Sequence, residues 1–302
     1  MNTSAQGLPQ SGILLLDKPR GITSNAALGR AKRVLGIKKA GHTGTLDPMA
    51  SGLLALCFGE ATKVSAFLLD GDKAYLAEVT LGVTTDSEDA EGQVLEEQPV
   101  PVLDEAAIET VLDGFRGPIE QVPPMFSALK HQGKRLYELA RKGEQVERPP
   151  RAVTIHDLEL LGFDGQRLRL AVSCSKGTYI RSLARDIGQA LGCGAHLSAL
   201  RRTGSAPFSI EQAVDLEVLN ELDREQARAL LRPADIALPN LPPVPLNDAQ
   251  AADLRHGRPL SGLEPAPTVG LVRVYAAGKF LAIAESDGRG GLKSRRLFHP
   301  DQ

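Results

Sequence analysis

The chain has no tryptophan, and aromatic residues make up only 4% of its 302 positions. Ligand recognition by a broad aromatic platform is therefore excluded as its main device. Cysteine is nearly as scarce. Cys57, Cys174 and Cys193 are odd in number and unrelated in spacing, which excludes a disulfide framework and a zinc knuckle and points to a reducing cytoplasm. No apolar run approaches the roughly 18 residues needed to cross a bilayer. The one near the start, residues 13–16, has no basic residue before it and reads as a short buried strand, not a signal peptide. Net charge is almost lacking too, at −2, while 42% hydrophobic and 24% charged residues exclude wholesale disorder.

What is present is polarity along the chain. Residues 18–46 hold seven basic side chains (Lys18, Arg20, Arg30, Lys32, Arg33, Lys38 and Lys39) and no acid. Residues 81–120 hold eleven acids against Arg116 alone, a local charge of −10 that leaves +8 for the rest. A chain neutral on average but basic in patches suits a polyanion held on one face. Scattered, solvated charge is the plainer alternative.

After a polar start over residues 1–10, the turn Asp17-Lys18-Pro19-Arg20-Gly21 leads to a helix capped by Thr23 or Ser24, running to Leu35 and stopped by Gly36. Residues 41–52, with three glycines and a proline, read as a loop, 53–58 as a buried strand and 62–69 as a helix. Residues 74–81 alternate, with Tyr75, Ala77, Val79 and Leu81 on one face. An acidic connection (86–97) and a helix (103–115) follow. Residues 121–151, opened by Pro123-Pro124 and closed by Pro149-Pro150, form a basic, mobile excursion with a short helix at 136–141. Two strands, 153–161 and 167–174, are joined by a hairpin turn. Thr178 is placed to cap a helix over 179–191 that Gly192 and Gly194 end, and one or two helices follow in 215–231. The prolines between 233 and 245 mark a semi-rigid linker. Beyond it, a helix (248–255) and strands at 269–275, 279–285 and 294–298 make a β-rich module small enough to need packing on the main domain. Mixed elements with hairpins give an α+β fold, divided at residues 1–245 and 246–302.

Asp47 is the first candidate for chemistry, an acid on a glycine-rich loop amid basic residues and stiffened by Pro48. Such a carboxylate acts as nucleophile or base. The plainer reading is a turn aspartate bonded to its own backbone. His42 is a switchable donor, a base-stacking wedge or a loop histidine without a task. Tyr75 is either a core residue or a phenol on a pocket floor. Arg181 falls in the first turn of its helix, where its charge opposes the dipole, so it calls for an acidic partner, and Asp47 is a candidate. The histidines show no ligand spacing. Gly192-x-Gly194 lacks the third glycine of a dinucleotide site, and no phosphate-binding P-loop or nucleophile elbow is present.

Five segments together resemble the bacterial tRNA pseudouridine synthase family of the TruB type: Asp17–Gly21, Gly41–Gly52, Lys73-Ala74-Tyr75, Val122-Pro123-Pro124-Met125-Phe126-Ser127-Ala128 and Cys174-Ser175-Lys176-Gly177-Thr178-Tyr179-Ile180-Arg181. Leu197–Arg202 continues the likeness, which spans residues 11–205. It implies a mixed, largely antiparallel sheet flanked by helices, with a small C-terminal PUA-like RNA-binding domain. It implies that Asp47 is the catalytic aspartate, that Tyr75 stacks on the target base and that Arg181 pairs with the aspartate. His42 then holds the flipped-out conformation, Tyr179 and Leu200 line the nucleotide pocket, and Lys18 and Pro19 support its floor. The excursion at 123–151 corresponds to an insertion closing over the RNA. The implied partner is the T stem-loop of tRNA, met by a monomer without membrane or protein partners. The implied reaction makes pseudouridine at position 55. It neither oxidises nor hydrolyses, so it needs no metal and no other cofactor. Two other readings stay open: a tRNA-folding chaperone acting by binding alone, and a glycosidase-like hydrolase, for which the sequence offers no evident second carboxylate.

Overall fold

The computed structural model describes residues 9–299 except 128, 132, 141 and 145. Most of the polar start and the last residue of the helix expected at 136–141 thus lie outside the described residues. The elements that position the site are β1 (Gly12–Lys18), α1 (Ser24–Leu35), β2 (Ala40–Thr43), β3 (Ala50–Phe58), β4 (Lys73–Leu81), β5 (Gly117–Gln121), β6 (Arg151–Phe163), β7 (Arg167–Cys174), α2 (Ile180–Ala190), β8 (Ala195–Ser205) and β9 (Val214–Asp215). Among the described residues they build a ten-stranded sheet in the order β9-β1-β3-β8-β4-β7-β6-β5, with β2 on β3 and Phe208–Ser209 on β8. Only β1–β9 and β3–β8 pair in parallel in this sheet, so the sheet is mixed and largely antiparallel, flanked by helices.

Patterning explains which face each strand buries. Along β4 the alternate residues Ala77, Val79 and Leu81 are buried under α1 and α2, with Tyr75 at the margin of that core. β1 and β3 are buried on both faces, which is why they read as unbroken apolar runs. Leu14, Leu16, Leu54 and Leu56 enter the helical core. Ile13, Leu15, Leu53, Ala55 and Cys57 enter a second core shared with Ile283 and Phe298. Through that second core the C-terminal module packs on the main body. Its sheet comprises Pro243–Leu246, Gly270–Ala276, Lys279–Ser286 and Leu292–Leu297, with helix Asp248–Arg255 capped by an Asn247–Gln250 box.

The basic excursion leaves and re-enters the sheet at one place, since Gln121 of β5 pairs directly with Arg151 of β6.

Four expectations are corrected. The loop expected over 41–52 is shorter, because Ala40–Thr43 pairs with Ala55–Phe58 and β3 already begins at Ala50. The helix expected at 62–69 is a 3₁₀ turn, Gly59–Val64, followed by Ser65–Asp70. Thr178 does not cap α2; its hydroxyl donates to Ser175 O, and the cap position is Tyr179, whose N–H and C=O both bond the Gln121 side chain. The proline-rich stretch is packed, not a free linker. Ala237 and Leu238 are buried in the second core, and Pro243 and Pro245 sit in an edge strand, where a missing N–H costs nothing.

Candidate active site

The loop that carries Asp47 is clamped from both ends. Thr23 caps α1 by accepting from Ala26 N–H, and Ser24 Oγ both donates to Leu46 O at 3.0 Å and accepts its N–H at 2.8 Å. The turn after β1 supports the other side. Gly21 N–H donates to Pro48 O at 2.7 Å, and Arg20 Nε donates to Met49 O at 3.0 Å. Lys18 is fully buried, with Nζ donating to Pro19 O and Ile22 O at 2.8 Å each. Lys18 and Pro19 therefore lie beneath the cleft and shape the turn under the Asp47 loop, whereas the other predicted site residues line it.

Those residues, His42, Asp47, Tyr75, Tyr179, Arg181 and Leu200, surround one cleft of about 890 Å³. Arg181 Nε lies 3.0 Å from Asp47 Oδ2; the arginine side chain is 5% exposed, the aspartate 38%, so the carboxylate keeps an open edge on the cleft. The same guanidinium donates to Ser87 O at 3.1 Å and Phe126 O at 2.8 Å, and its Nη1 stands 3.7 Å from Asp89 Oδ2. Burial pushes the Asp47 carboxyl up from the ordinary value, and Arg181 pulls it back only in part. His42 is pushed down by burial and then by Arg202, so its ring is neutral at pH 7, and its Nδ1 is buried without a protein partner.

Four charged residues packed beside the cleft were given no role by the sequence. Asp89 is a second buried carboxylate beside Arg181. Asp89 accepts from Ser87 Oγ at 2.5 Å and from Glu91 N–H at 3.0 Å. Nothing distinguished it among eleven acids. Glu88, its neighbour, holds α2 through Ser182 and Arg185. Lys73 Nζ caps the helix Ser65–Asp70 through Leu68 O and Leu69 O. Arg202 is fully buried, donates to Leu53 O at 2.6 Å and Gly44 O at 3.1 Å, and stands opposite Tyr75 on β4. A signal for Arg202 existed: it is two residues from Leu200, and period-two alternation places both on one face.

Gly52 has φ 106°, and a Cβ there would lie 2.3 Å from Arg202 O. It admits a neighbouring strand, not a ligand. Gly52→Ala is expected to destabilise the fold by about 1–3 kcal/mol, measured by urea denaturation; an unchanged midpoint would contradict the close approach.

Burial is also the main reason that Lys18 is pushed down from 10.5 to about 8. Below pH 8 the folded state bears the full cost of the buried ammonium. Between about 8 and 10.5 the folded protein loses that proton while the unfolded chain keeps it, so stability from this group rises with pH. Wild type should gain on Lys18→Met across that interval in paired denaturation curves, and parallel curves would contradict the depressed ammonium.

Among the described residues no helix is long and apolar enough to cross a membrane, and no cluster of His, Cys, Asp and Glu could hold a metal ion.

Comparison with known proteins places the chain in a family. Residues 32–180 match the model of the TruB family pseudouridylate synthase N-terminal domain. Residues 181–239 match a tRNA pseudouridylate synthase B C-terminal domain, and 242–298 a pseudouridine synthase II TruB C-terminal domain. The chain is 55% identical over 286 residues to tRNA pseudouridine synthase B of Aromatoleum aromaticum, covering 95% of this chain and 92% of that one. It is 53% identical to the protein of the same name from Stutzerimonas stutzeri, covering 96% of each. Among solved structures, a Cbf5-Nop10-Gar1 complex contains a chain with TM-score 0.72 and 28% identity, covering 100% of this chain and 92% of that one. These matches define an isomerase that converts uridine to pseudouridine. The chain belongs to the TruB family of pseudouridylate synthases.

Proposed function

We propose that the protein isomerises the uridine at position 55 in the T-loop of tRNA, with Asp47 as the catalytic carboxylate. The observation that carries this reading is the Asp47–Arg181 ion pair, open on one edge to a cleft of nucleotide size. The tRNA substrate follows from relatives named for it that are more than 50% identical over nearly the whole chain.

The reaction breaks the bond between N1 of uracil and C1′ of ribose, turns the base and joins C5 to C1′; the hydrogen on C5 leaves as a proton and N1 takes one up. Substrate and product are isomers, so the balance calls for no cofactor. A uridine inside a folded loop has to be turned out before it can be reached. Asp47 acts at the ribose, either as an adduct at C1′ or by taking a 2′ proton, and Arg181 holds the carboxylate ionised and oriented against the burial that raises its pKa. Tyr75 stacks on the base, Tyr179 and Leu200 wall the pocket, and neutral His42 supports the everted loop. Lys18 and Pro19 act from below through the turn. Residues 1–245 carry catalysis, with the segment 123–151 closing over the RNA. Residues 246–302 form a PUA-like module that adds contacts to the RNA backbone. The protein acts as a cytoplasmic monomer.

Unmodified tRNA incubated with the protein should acquire a single carbodiimide-dependent stop to reverse transcriptase, one nucleotide 3′ of position 55. Stops elsewhere, or none, would overturn the assignment.

A further inference from the structure

Two arginines one turn apart on α2 hold different parts of the site. Arg181 faces Asp47, Asp89 and the carbonyls of Ser87 and Phe126. Arg185, four residues on and so on the same side of the helix, pairs with Glu88 and Asp186 and donates from Nη2 to Val122 O at 3.2 Å. Glu88 stands between Ser87 and Asp89, both of which Arg181 contacts. Its backbone is left-handed, with φ 64°, a conformation that a side chain of this kind seldom adopts. One carboxylate oxygen accepts from Ser182 Oγ at 2.8 Å, the other is taken by Arg185, and the Glu88 carbonyl accepts Leu197 N–H at 3.0 Å. Glu88 is not among the described residues that line the cleft.

We infer that Glu88 is a positioning residue. Through its ion pair with Arg185 it holds the Ser87 carbonyl and the Asp89 carboxylate against Arg181, and so fixes the guanidinium that faces Asp47. Backbone held in a sparsely populated region persists only where its surroundings over-determine it. Here the surroundings are Ser182, Arg185 and Leu197. Without the side-chain latch, residue 88 relaxes towards negative φ, and the peptides on either side turn with it. They carry the Ser87 carbonyl and Asp89 away from Arg181. The 3.7 Å contact to Asp89 is already looser than the 3.0 Å contact to Asp47, so a small displacement changes how the guanidinium is shared between the two acids. Arg185 also holds Val122 at the root of the basic excursion, so one helix face sets two walls of the cleft relative to each other.

The inference rests on the reading of Asp47 and Arg181 as catalytic. Its test is the single-turnover rate of pseudouridine formation, with enzyme in excess over tRNA, together with tRNA affinity and melting temperature. Glu88→Gln and Glu88→Ala should each slow turnover by about tenfold, a coupling of the size found between contacting residues, with tRNA affinity within about twofold of wild type. Glu88→Gly removes the latch together with the strain that drives the relaxation, so its turnover and melting temperature should both lie nearer wild type than those of Glu88→Ala. In an Asp89→Asn background, Glu88→Gln should add less than about twofold, because it acts through Asp89. Wild-type turnover in both Glu88→Gln and Glu88→Ala would overturn the inference, as would losses that multiply in the double variant. Full turnover by Glu88→Gln beside an inactive Asp47→Asn would sink this inference alone. Full turnover by Asp47→Asn would sink the functional reading instead.

Discussion

Asp47→Asn is expected to release no tritium from tRNA labelled at C5 of uracil while binding a T stem-loop within about twofold of wild type, a loss of about 10⁴-fold or more in rate. Asparagine keeps the shape and an acceptor for Arg181 but has neither charge nor nucleophilicity. Both routes open to the carboxylate, the C1′ adduct and the 2′ proton abstraction, need the anion. The fold should survive, because Arg181 keeps Ser87 O, Phe126 O and Asp89. Normal tritium release would remove Asp47 from the mechanism. An inactive variant that fully replaces the protein in cells would instead make binding the main duty, as in a chaperone. The pH dependence of the wild type has a definite sign. Because burial raises the Asp47 pKa above 3.8, single-turnover rates should fall on acidification with a midpoint above that value. A midpoint at or below it would show that Arg181 outweighs desolvation.

Much of this architecture is legible in the residues, where one local force dominates. Alternation marked β4 and the β6–β7 hairpin, capping chemistry marked α1, and paired prolines bracketed the excursion. What stayed hidden depends on distant partners. β2 was masked because its strand character comes from pairing with β3, against a glycine-rich local composition. Tyr179 displaced Thr178 as the cap position of α2 because Gln121, far away in sequence, satisfies its backbone. The residues singled out around the cleft were legible because their segments carried a resemblance. Asp89 had only its charge, shared with ten neighbours, and took its place because Arg181 reaches into that loop. The acidic run at 86–97 reads only as a connection. It contributes two of its carboxylates to the arginines of α2.

Arg202→Met should be the most damaging substitution outside the residues that face the reacting base. The methionine fills much of the same volume, yet it removes the donor from Leu53 O, which is buried, and from Gly44 O, which is part-buried. Each unsatisfied group costs about 1–3 kcal/mol. Part of this is offset, because Arg202 depresses its neighbours: Lys18, Lys73 and His42 all have their pKa values lowered partly by its charge. The net loss is then about 2–4 kcal/mol, or a melting temperature lower by roughly 5–10 °C. Turnover should fall by about a hundredfold, since Gly44 belongs to the Asp47 loop and Tyr75 loses the cation opposite it. The charge effect has its own readout, independent of stability. Removing Arg202 should move the His42 imidazole pKa upward, measurable by NMR titration of the ring protons, and Arg202→Lys should hold it near the wild-type position. If His42 titrates identically in wild type and Arg202→Met, the buried guanidinium adds nothing to the burial that lowers that ring's pKa.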